Sequence, residues 1–542
     1  MTEKPAGPRI SGRERLLVGA SAIAASVGAG VWSWRNHAML NYGDAVAHLH
    51  IARRVIDAHE PGISQFGSVW LPLPHLLMIP FVAVYAWWAN GLAGLIPSAL
   101  AYIASCVGIF RLARNWLRWP AALVGLAFFA LNPNLLYLQT TAMTEPLFLC
   151  EMIWLAVWLV EWHGAVGKDP RRATKLLRGV ALALVAAVFT RYDGWVLALL
   201  AWTCVGIVQM RKSTLRSRAF WTMSGVVVAA PLLWFVYNGL VFGDWLDFAR
   251  GPYSAAAIEE RTTTGSGPPH PGWHDPWVSL LFFVKCGEMD AAPEQWGNFL
   301  LITSLLGTVW GWLKCGRTGF VWALFLWLPV PFYAYSVSFG SVPIFLPVWW
   351  PHSFYNTRYG MEMLPGFALG VAFAASFLLS ATREFKPRLV PYVAGGLLVV
   401  IVICNWAVLR DRPLTYVEGT KNIASRREFE EQIPPVLRRL VAEHPGAPVL
   451  MGTSVYPNLV AFTGIPLRQT INESDRGVFS EALAAPAKHA AVVVAFDGDE
   501  IDKAVRTHPE GLRLVGRFEC DRQPPGAVYV SDTPPVVRES GR

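Results

Sequence analysis

Residues 389–409 read LVPYVAGGLLVVIVICNWAVL, and no charged side chain interrupts them. A helix needs about 20 mostly apolar residues to cross a bilayer, so this stretch predicts a membrane span. Eleven more apolar stretches are candidates of the same kind. They are Leu16–Trp34, Leu71–Trp88, Leu92–Phe110, Pro120–Tyr137, Pro146–Trp162, Leu176–Thr190, Trp195–Met210, Phe220–Phe242, Phe299–Leu313, Phe320–Tyr335 and Leu364–Ser380.

The composition of the 542-residue chain supports a membrane protein. Apolar residues make up 54% of it and charged residues 15%, whereas a soluble globular chain carries roughly 25% charged residues. A soluble enzyme and a disordered chain are therefore excluded. The net charge of +8 comes from Lys and Arg clusters between apolar runs, which is how membrane topology is encoded. We expect no nucleic-acid partner.

Basic loops predict the orientation of the spans, because cytoplasmic loops are enriched in Lys and Arg. The N-terminal Arg9–Arg15 stretch places the N-terminus in the cytoplasm, and everything after Arg410 is then extracytoplasmic. The remaining cytoplasmic clusters lie at residues 111–118, 168–178, 211–218, 314–317 and 383–388.

The segment Leu71–Trp88 breaks this alternation. It contains Pro72, Pro74, His75 and Pro80, which favour a broken or re-entrant helix over a clean crossing. We predict eleven full spans plus this segment, and thirteen spans is the alternative.

The chain changes character after residue 410. Residues 448–452, 490–496, 512–518 and 527–531 read as strands, and residues 499–508 as a helix. The predicted fold class is therefore an all-α polytopic membrane domain of 11–13 transmembrane helices over residues 1–410. A small extracytoplasmic α/β domain follows over residues 411–542.

The first predicted external loop carries Asp44, His48 and His50. On a helix, Asp44 and His48 share a face because they are four residues apart. The alternative is structural: Asp44 caps an interfacial helix and the histidines lie at headgroup level.

A second carboxylate, Glu145, precedes Pro146 at the start of a predicted span. A carboxylate at the mouth of a helix bundle is costly unless it is paired or functional. The alternative is that Glu145 only complements the helix dipole.

Two arginines occupy similarly unusual positions. Arg191 interrupts what would otherwise be one long apolar hairpin, and Arg358 lies just before the span that starts at Leu364. The alternatives are that Arg191 pairs with its neighbour Asp193 and that Arg358 extends to lipid headgroups. Carboxylates suit a general base and arginines suit a phosphate, so together these residues suit a phosphate-linked lipid substrate.

These short motifs resemble those of the GT-C superfamily of polytopic glycosyltransferases. Within it, the closest resemblance is to the protein O-mannosyltransferase and aminoarabinose transferase group (glycosyltransferase family 39-like). The matching stretches are Tyr42-Gly43-Asp44, Asn132-Pro133 to Thr144-Glu145-Pro146, Thr190-Arg191, and Arg358-Tyr359 to Leu364-Pro365.

The resemblance implies a transfer reaction on the outer face of a membrane. A polyprenyl-phosphate sugar is the donor, and Asp44 is the general base for the acceptor. Glu145 orients the acceptor or the sugar. The donor phosphate is bound near Arg191, Arg358 and Tyr359, and the accessory candidates are His48, His50, His75 and Asp193.

Two departures from the family pattern narrow this expectation. Many relatives carry two adjacent acids in the first loop, whereas Ala45 follows Asp44 here, so Asp44 is the sole candidate base in that loop. The WWDYG signature of oligosaccharyltransferases is absent, which argues against asparagine glycosylation. We expect no cofactor. A divalent metal at His48 and His50 is the alternative, but the branch that the sequence resembles needs none.

Other classes of function compete with this one. A transporter or flippase of a lipid-linked sugar would also carry intramembrane charges and a broken helix. A third class is an external binding or assembly protein that works through residues 411–542. For the enzyme, the acceptor is a lipid, a protein or a glycan, and the expected location is a bacterial inner or cell membrane.

Overall fold

The computed structural model describes residues 11–263, 269–454, 456–521 and 523–533. Helices dominate this part of the chain, as the long apolar runs predict. The α-helices are α1 (Gly12–Arg35), α2 (Gly43–Arg54), α3 (Leu73–Val82), α4 (Tyr85–Asn90), α5 (Leu92–Arg114), α6 (Trp119–Ala130), α7 (Pro133–Leu138), α8 (Glu145–Ala165), α9 (Pro170–Thr190), α10 (Asp193–Arg211), α11 (Arg218–Phe242), α12 (Asp247–Arg250), α13 (Ala255–Thr263), α14 (Pro276–Ala291), α15 (Glu294–Cys315), α16 (Pro329–Phe339), α17 (Leu364–Phe385), α18 (Val390–Asp411), α19 (Leu414–Ala424), α20 (Arg427–Glu443), α21 (Asn458–Thr463), α22 (Arg476–Ala484), α23 (Pro486–His489) and α24 (Glu500–Thr507).

Short 3-10 helices connect several of these elements. They cover Ile63–Phe66, Gly316–Thr318, Phe320–Trp327, Thr357–Met363, Pro387–Leu389 and Leu467–Gln469. The strands are β1 (Val449–Met451), β2 (Thr470–Ile471), β3 (Val492–Phe496), β4 (Leu512–Phe518) and β5 (Gly526–Ser531).

Nine helical segments among the described residues are long and apolar enough to cross a membrane. Their number and character confirm the predicted polytopic membrane protein. Two shorter apolar helices, α3 and α6, add to them. The nine segments are Gly12–Arg35, Leu92–Arg114, Glu145–Ala165, Pro170–Thr190, Asp193–Arg211, Arg218–Phe242, Phe320–Phe339, Thr357–Phe385 and Pro387–Ala424.

Proline and asparagine divide one predicted span that we expected to be continuous. The stretch Pro120–Tyr137 forms α6 and then α7, because Asn132-Pro133 starts a new helix. The Asn132 side chain accepts a hydrogen bond from the Leu135 N–H at 3.1 Å, and Pro133 occupies the first turn. This is the usual chemistry of a helix N-terminus.

The chain divides into two compact units. Unit 1 comprises residues 1–35, 68–74 and 97–418, and unit 2 comprises residues 36–67, 75–96 and 419–542. The change of unit near the C-terminus falls inside α19, eight residues beyond the division at residue 410 that the sequence suggests.

Helix α17 lies at the centre of unit 1, where its residues 364–373 are all buried. Glycines allow its neighbours to approach closely, as small residues do at helix interfaces in membranes. A Cβ atom at Gly307 of α15 would overlap the carbonyl of Gly370, and one at Gly370 would overlap the carbonyl of Ser304. A Cβ atom at Gly125 of α6 would lie 2.5 Å from the Ala368 carbonyl oxygen.

Unit 2 contains a five-stranded sheet in the order β2-β1-β3-β5-β4. Strand β1 pairs in parallel with β2 and β3, while β5 pairs antiparallel with β3 and β4. Leu450, Val493, Ile501 and Val505 belong to its buried core. The four strands and the helix predicted for this region are therefore confirmed. The two-residue β2 and the helices α20, α21, α22 and α23 were not expected.

The predicted break within Leu71–Trp88 is also present in unit 2, where α3 ends at Val82 and α4 starts at Tyr85. Arg53 satisfies the carbonyl groups that the break exposes. Its Nη1 donates to the Val82 oxygen at 2.5 Å and to the Ala83 oxygen at 3.0 Å. Its Nη2 pairs with the buried Asp57 at 2.6 Å. Whether this segment re-enters the membrane stays a prediction.

The glycine contacts of α17 generate a test of helix packing. Gly370→Ala should lower the free energy of unfolding by about 1–3 kcal/mol, because the new methyl group forces α17 away from α15. Gly395→Ala is the matched control, since a Cβ atom there meets nothing within 4 Å. Thermal unfolding of the purified protein in detergent should show a lower midpoint for Gly370→Ala alone. Equal shifts in both variants would contradict the close-packing argument.

Candidate functional site

Arg191 lies between α9 and α10 in unit 1 and is almost entirely enclosed by protein. Its Nε donates to Asp193 Oδ2 at 3.1 Å. Its Nη1 donates to Thr144 Oγ1 at 3.1 Å and to Glu145 Oε1 at 3.4 Å. Its Nη2 contacts the Tyr333 hydroxyl at 2.6 Å and Glu362 Oε1 at 3.1 Å. The guanidinium thus makes four hydrogen bonds and one further ion-pair contact, and the pairing with Asp193 is one contact among five.

Arg358 lies in the 3-10 helix that precedes α17 and is also buried, with 6% of its surface exposed. Its Nε donates to Glu145 Oε1 at 3.1 Å, and its Nη1 donates to Glu418 Oε1 at 3.0 Å. Glu418 Oε2 accepts from the Arg358 backbone N–H at 3.3 Å and from Thr357 Oγ1 at 2.5 Å. The alternative in which Arg358 extends to lipid headgroups is therefore wrong.

Glu145 joins the two arginines through a single oxygen atom. It is the first residue of α8 and is fully buried. The Tyr359 ring lies against both guanidinium groups, with 5.1 Å from its centroid to each Cζ atom, which is within cation–π range. We call Glu145, Arg191, Arg358 and Tyr359 the arginine cluster. The structure brings these four predicted site residues together, with Asp193 beside them.

Three further residues, Tyr333, Glu362 and Glu418, contact the arginines of the cluster. The Tyr333 hydroxyl donates to Glu362 Oε1 at 2.8 Å, and Glu418 binds Arg358 from α19. The sequence analysis proposed no role for Tyr333, because it lies in an apolar run. It missed Glu418 because that residue follows the last predicted span and reads as part of the C-terminal domain.

The charges around the arginine cluster do not balance. Four carboxylates, those of Glu145, Asp193, Glu362 and Glu418, contact the two guanidinium groups. Among the contacts of the described residues, carboxylates therefore outnumber guanidinium groups, and buried charges are costly unless they are compensated. Any ligand that binds at this site has to fit beside these four carboxylates.

The Asn-Pro stretch explains how nearby helices are held in unit 1. Asn132 Nδ2 and Asn134 Nδ2 both donate to the backbone oxygen of Asp290, at 2.9 and 3.0 Å. Asn134 Oδ1 accepts from the Thr415 N–H at 3.0 Å. The buried Asp290 carboxylate has no hydrogen-bond partner among the described residues. Burial, with a smaller contribution from Glu418, raises the pKa of Asp290 well above its usual range.

The other predicted site residues, Asp44, His48, His50 and His75, lie in unit 2. Asp44 is the second residue of α2, and the first N–H of that helix, at Gly43, donates to Asn422 Oδ1 at 2.9 Å. His48 Nδ1 and His75 Nε2 form a buried hydrogen bond of 2.8 Å. Burial lowers the pKa of His50 to about 3. His50 is therefore neutral at physiological pH, and its Nδ1 bonds the Val46 carbonyl oxygen at 3.2 Å.

Within the described ranges, no group of three or more His, Cys, Asp or Glu side chains is arranged to hold a metal ion. His48 and His75 bond each other, and His50 bonds the backbone.

The many apolar helices and the small α/β region define a polytopic membrane protein. No family model matches the sequence, and no curated protein matches it. Among solved structures, the chain is similar to ArnT from Cupriavidus metallidurans bound to undecaprenyl phosphate. The TM-score is 0.57 at 11% identity, over 94% of this chain and 98% of that chain. This likeness confirms the fold that the resemblance implied.

A second similar structure is the oligosaccharyltransferase AglB from Archaeoglobus fulgidus in complex with an inhibitory peptide and a dolichol-phosphate. Its TM-score is 0.47 at 11% identity, over 94% of this chain and 74% of that chain.

Carboxylates outnumber guanidinium groups in these contacts. We therefore predict that loss of an arginine lowers the free energy of unfolding more than loss of an acid does. Arg358→Met leaves Glu145 and Glu418 short of a cation, and it should cost about 3–5 kcal/mol of unfolding free energy. Glu418→Gln keeps the size of the side chain and an acceptor for Thr357, so it should cost clearly less. Thermal unfolding of both variants in detergent decides this, and equal losses would argue against the charge imbalance.

Proposed function

We propose that this protein is an integral membrane glycosyltransferase that moves a hexosyl or pentosyl group from a polyprenyl-phosphate donor to an acceptor. The arginine cluster carries the proposal. The guanidinium groups of the buried Arg358 and the partly buried Arg191 lie against one tyrosine ring, in a chain whose fold is similar to that of a protein crystallised with undecaprenyl phosphate. Guanidinium groups bind phosphate oxygens by charge-assisted, forked hydrogen bonds.

Arg358 is the proposed primary ligand of the donor phosphate, and Tyr359 holds its guanidinium in place. Arg191 already contacts three carboxylates, so it reaches a phosphate only when one of them gives up its contact. Because four carboxylates already surround the cluster, binding of an anionic phosphate requires at least one of them to move away. Glu145, which touches both arginines, is the carboxylate best placed to couple donor binding to such a change.

Asp44 is the proposed general base, on the strength of the first-loop resemblance. It takes the proton from an acceptor hydroxyl or amine as that oxygen or nitrogen forms a bond to the anomeric carbon. The bond between the anomeric carbon and the phosphate oxygen breaks, and its electron pair leaves with the polyprenyl phosphate. One displacement of this kind inverts the configuration at the anomeric carbon. No cofactor takes part in this scheme.

The distribution of basic loops supports the remaining parts of the proposal. The N-terminus is cytoplasmic and the C-terminal α/β region is extracytoplasmic, in a bacterial inner or cell membrane. Transfer then occurs on the outer face to a lipid, a protein or a glycan of the cell envelope. His48 and His75, which bond each other, are proposed as accessory residues, while the bond from His50 to the backbone suits a structural role.

The role of Asp44 is tested by Asp44→Asn, which keeps the shape of the side chain but cannot take a proton. Loss of a general base costs about 10²–10⁴-fold in rate, so transfer should nearly vanish while expression is unchanged. The measurement is release of polyprenyl phosphate from radiolabelled polyprenyl-phosphate hexoses and pentoses in membranes of the native host. Binding of undecaprenyl phosphate should stay at the wild-type level. If Asp44→Asn released polyprenyl phosphate at the wild-type rate, the role of Asp44 as the general base would be refuted. If the radiolabelled donor crossed the membrane without cleavage of the sugar–phosphate bond, a flippase would be favoured.

The phosphate role of Arg358 is tested by Arg358→Lys, which keeps the positive charge and loses the fork. The affinity for undecaprenyl phosphate should fall at least about tenfold, equivalent to about 1.4 kcal/mol. Arg383→Lys, at the C-terminal end of α17, is a control outside the cluster and should bind normally. Titration of both purified variants with undecaprenyl phosphate gives the answer. Unchanged affinity in Arg358→Lys would remove Arg358 from the donor site.

A further inference from the structure

Arg426, which lies between α19 and α20 in unit 2, packs against the start of α2. A Cβ atom at Gly43 would overlap the Arg426 Nη1 atom. Asn422 Oδ1 accepts a hydrogen bond from Arg426 Nη1 at 3.2 Å and another from the Gly43 N–H at 2.9 Å. The guanidinium and the first N–H of α2 therefore share one oxygen atom, and Asp44 is the next residue of that helix.

This placement of a cation is electrostatically unusual. The N-terminus of a helix carries a partial positive charge, which favours anions there and disfavours a guanidinium. Arg426 is buried, with 8% of its surface exposed, and its Nε and Nη2 atoms make no hydrogen bond with the described residues. Its position is therefore stabilised by the field of nearby carboxylates rather than by hydrogen bonds from those two atoms.

Two carboxylates supply that field. Glu430 Oε1 lies 3.6 Å from Arg426 Nε, and Asp44 is the second anionic group that acts on the guanidinium. Burial lowers the pKa of Arg426, while the charges of Glu430 and Asp44 oppose that effect. Glu430 is itself held by Asn458 Nδ2 at 2.7 Å. Arg426 thus pairs with Glu430, and the charge of Asp44, in the first turn of α2, also acts on it.

We propose that Arg426 is a positioning residue for Asp44. The guanidinium attracts the carboxylate and holds the start of α2 through Asn422, so that the base keeps one orientation towards the acceptor. The close contact at Gly43 explains why a residue without a side chain precedes Asp44. The inference rests on the proposed role of Asp44 as the general base.

The first set of variants tests whether Arg426 acts on turnover. Arg426→Gln should lower kcat for polyprenyl phosphate release about 10–100-fold, because a misplacement of about 1 Å is enough for such a loss. The KM for the donor should not change. Arg426→Lys keeps a cation and should recover part of kcat, and it also covers the case in which Arg426→Gln folds poorly. Arg427→Gln replaces the exposed neighbouring arginine and should match the wild type.

The second set separates positioning from mere structural support through non-additivity, which marks residues that act on one another. Gly43→Ala should lower kcat by displacing the guanidinium, and Gly43→Ala combined with Arg426→Gln should be no worse than Arg426→Gln alone. In the Asp44→Asn background, Arg426→Lys should have no further effect on the residual rate. A further loss of the same size in that background would overturn the inference.

The two proposals fail in different ways. Wild-type release by Asp44→Asn would remove the base, and the positioning role with it. The other outcome is that Asp44→Asn is inactive while Arg426→Lys, Arg426→Gln and Gly43→Ala keep the wild-type kcat. This would overturn the positioning role alone and leave the role of Asp44 as the base intact.

Discussion

The candidate site depends on one shared atom, the Oε1 of Glu145, which accepts hydrogen bonds from both Arg358 and Arg191. A buried guanidinium needs an anionic partner, and here a single carboxylate ties together three parts of the chain that are far apart in sequence. Glu145 can do so because α8 begins at that residue, which leaves its side chain at the end of the helix. The helix dipole there also favours a negative charge. The position of Glu145 at the start of α8 is thus compatible with the helix-dipole interpretation, and its contacts with Arg191 and Arg358 show that it is also paired.

Packing in unit 1 supports this arrangement. The segment that carries Arg358 and Tyr359 runs directly into α17, which lies so close to α15 and α6 that Gly307, Gly370 and Gly125 have no room for a Cβ atom. Arg358 is buried, so the charges around it have to be compensated by nearby protein groups. Rigid helices therefore hold a charged cluster in one geometry, as a phosphate-binding site requires. The excess of carboxylates among the described contacts is the feature that the proposed binding of a phosphate has to overcome.

The local structure could be predicted well because short-range physics determines it. Apolar runs anticipated most of the long helices, and alternation with turn residues anticipated β1, β3, β4 and β5 to within about two residues. The prolines of Leu71–Trp88 anticipated a broken helix. They did not indicate that Arg53 would donate hydrogen bonds to the carbonyl groups at the break. The division of Pro120–Tyr137 was missed, because the signal of an apolar run outweighed that of Asn132-Pro133.

The sequence by itself determined that this is a polytopic membrane protein with a small α/β region, and it singled out Glu145, Arg191 and Arg358 as unusual charges. Such charges stand out because burying them in apolar surroundings without partners is too costly. The tertiary structure alone decided the identity of the partners. Glu418 and Tyr333 come from segments with no local signal of a site, and Arg426 meets the start of α2 across almost 400 residues of chain. Partner choice depends on which side chains the packing brings within hydrogen-bonding distance, and no local pattern of residues encodes that distance.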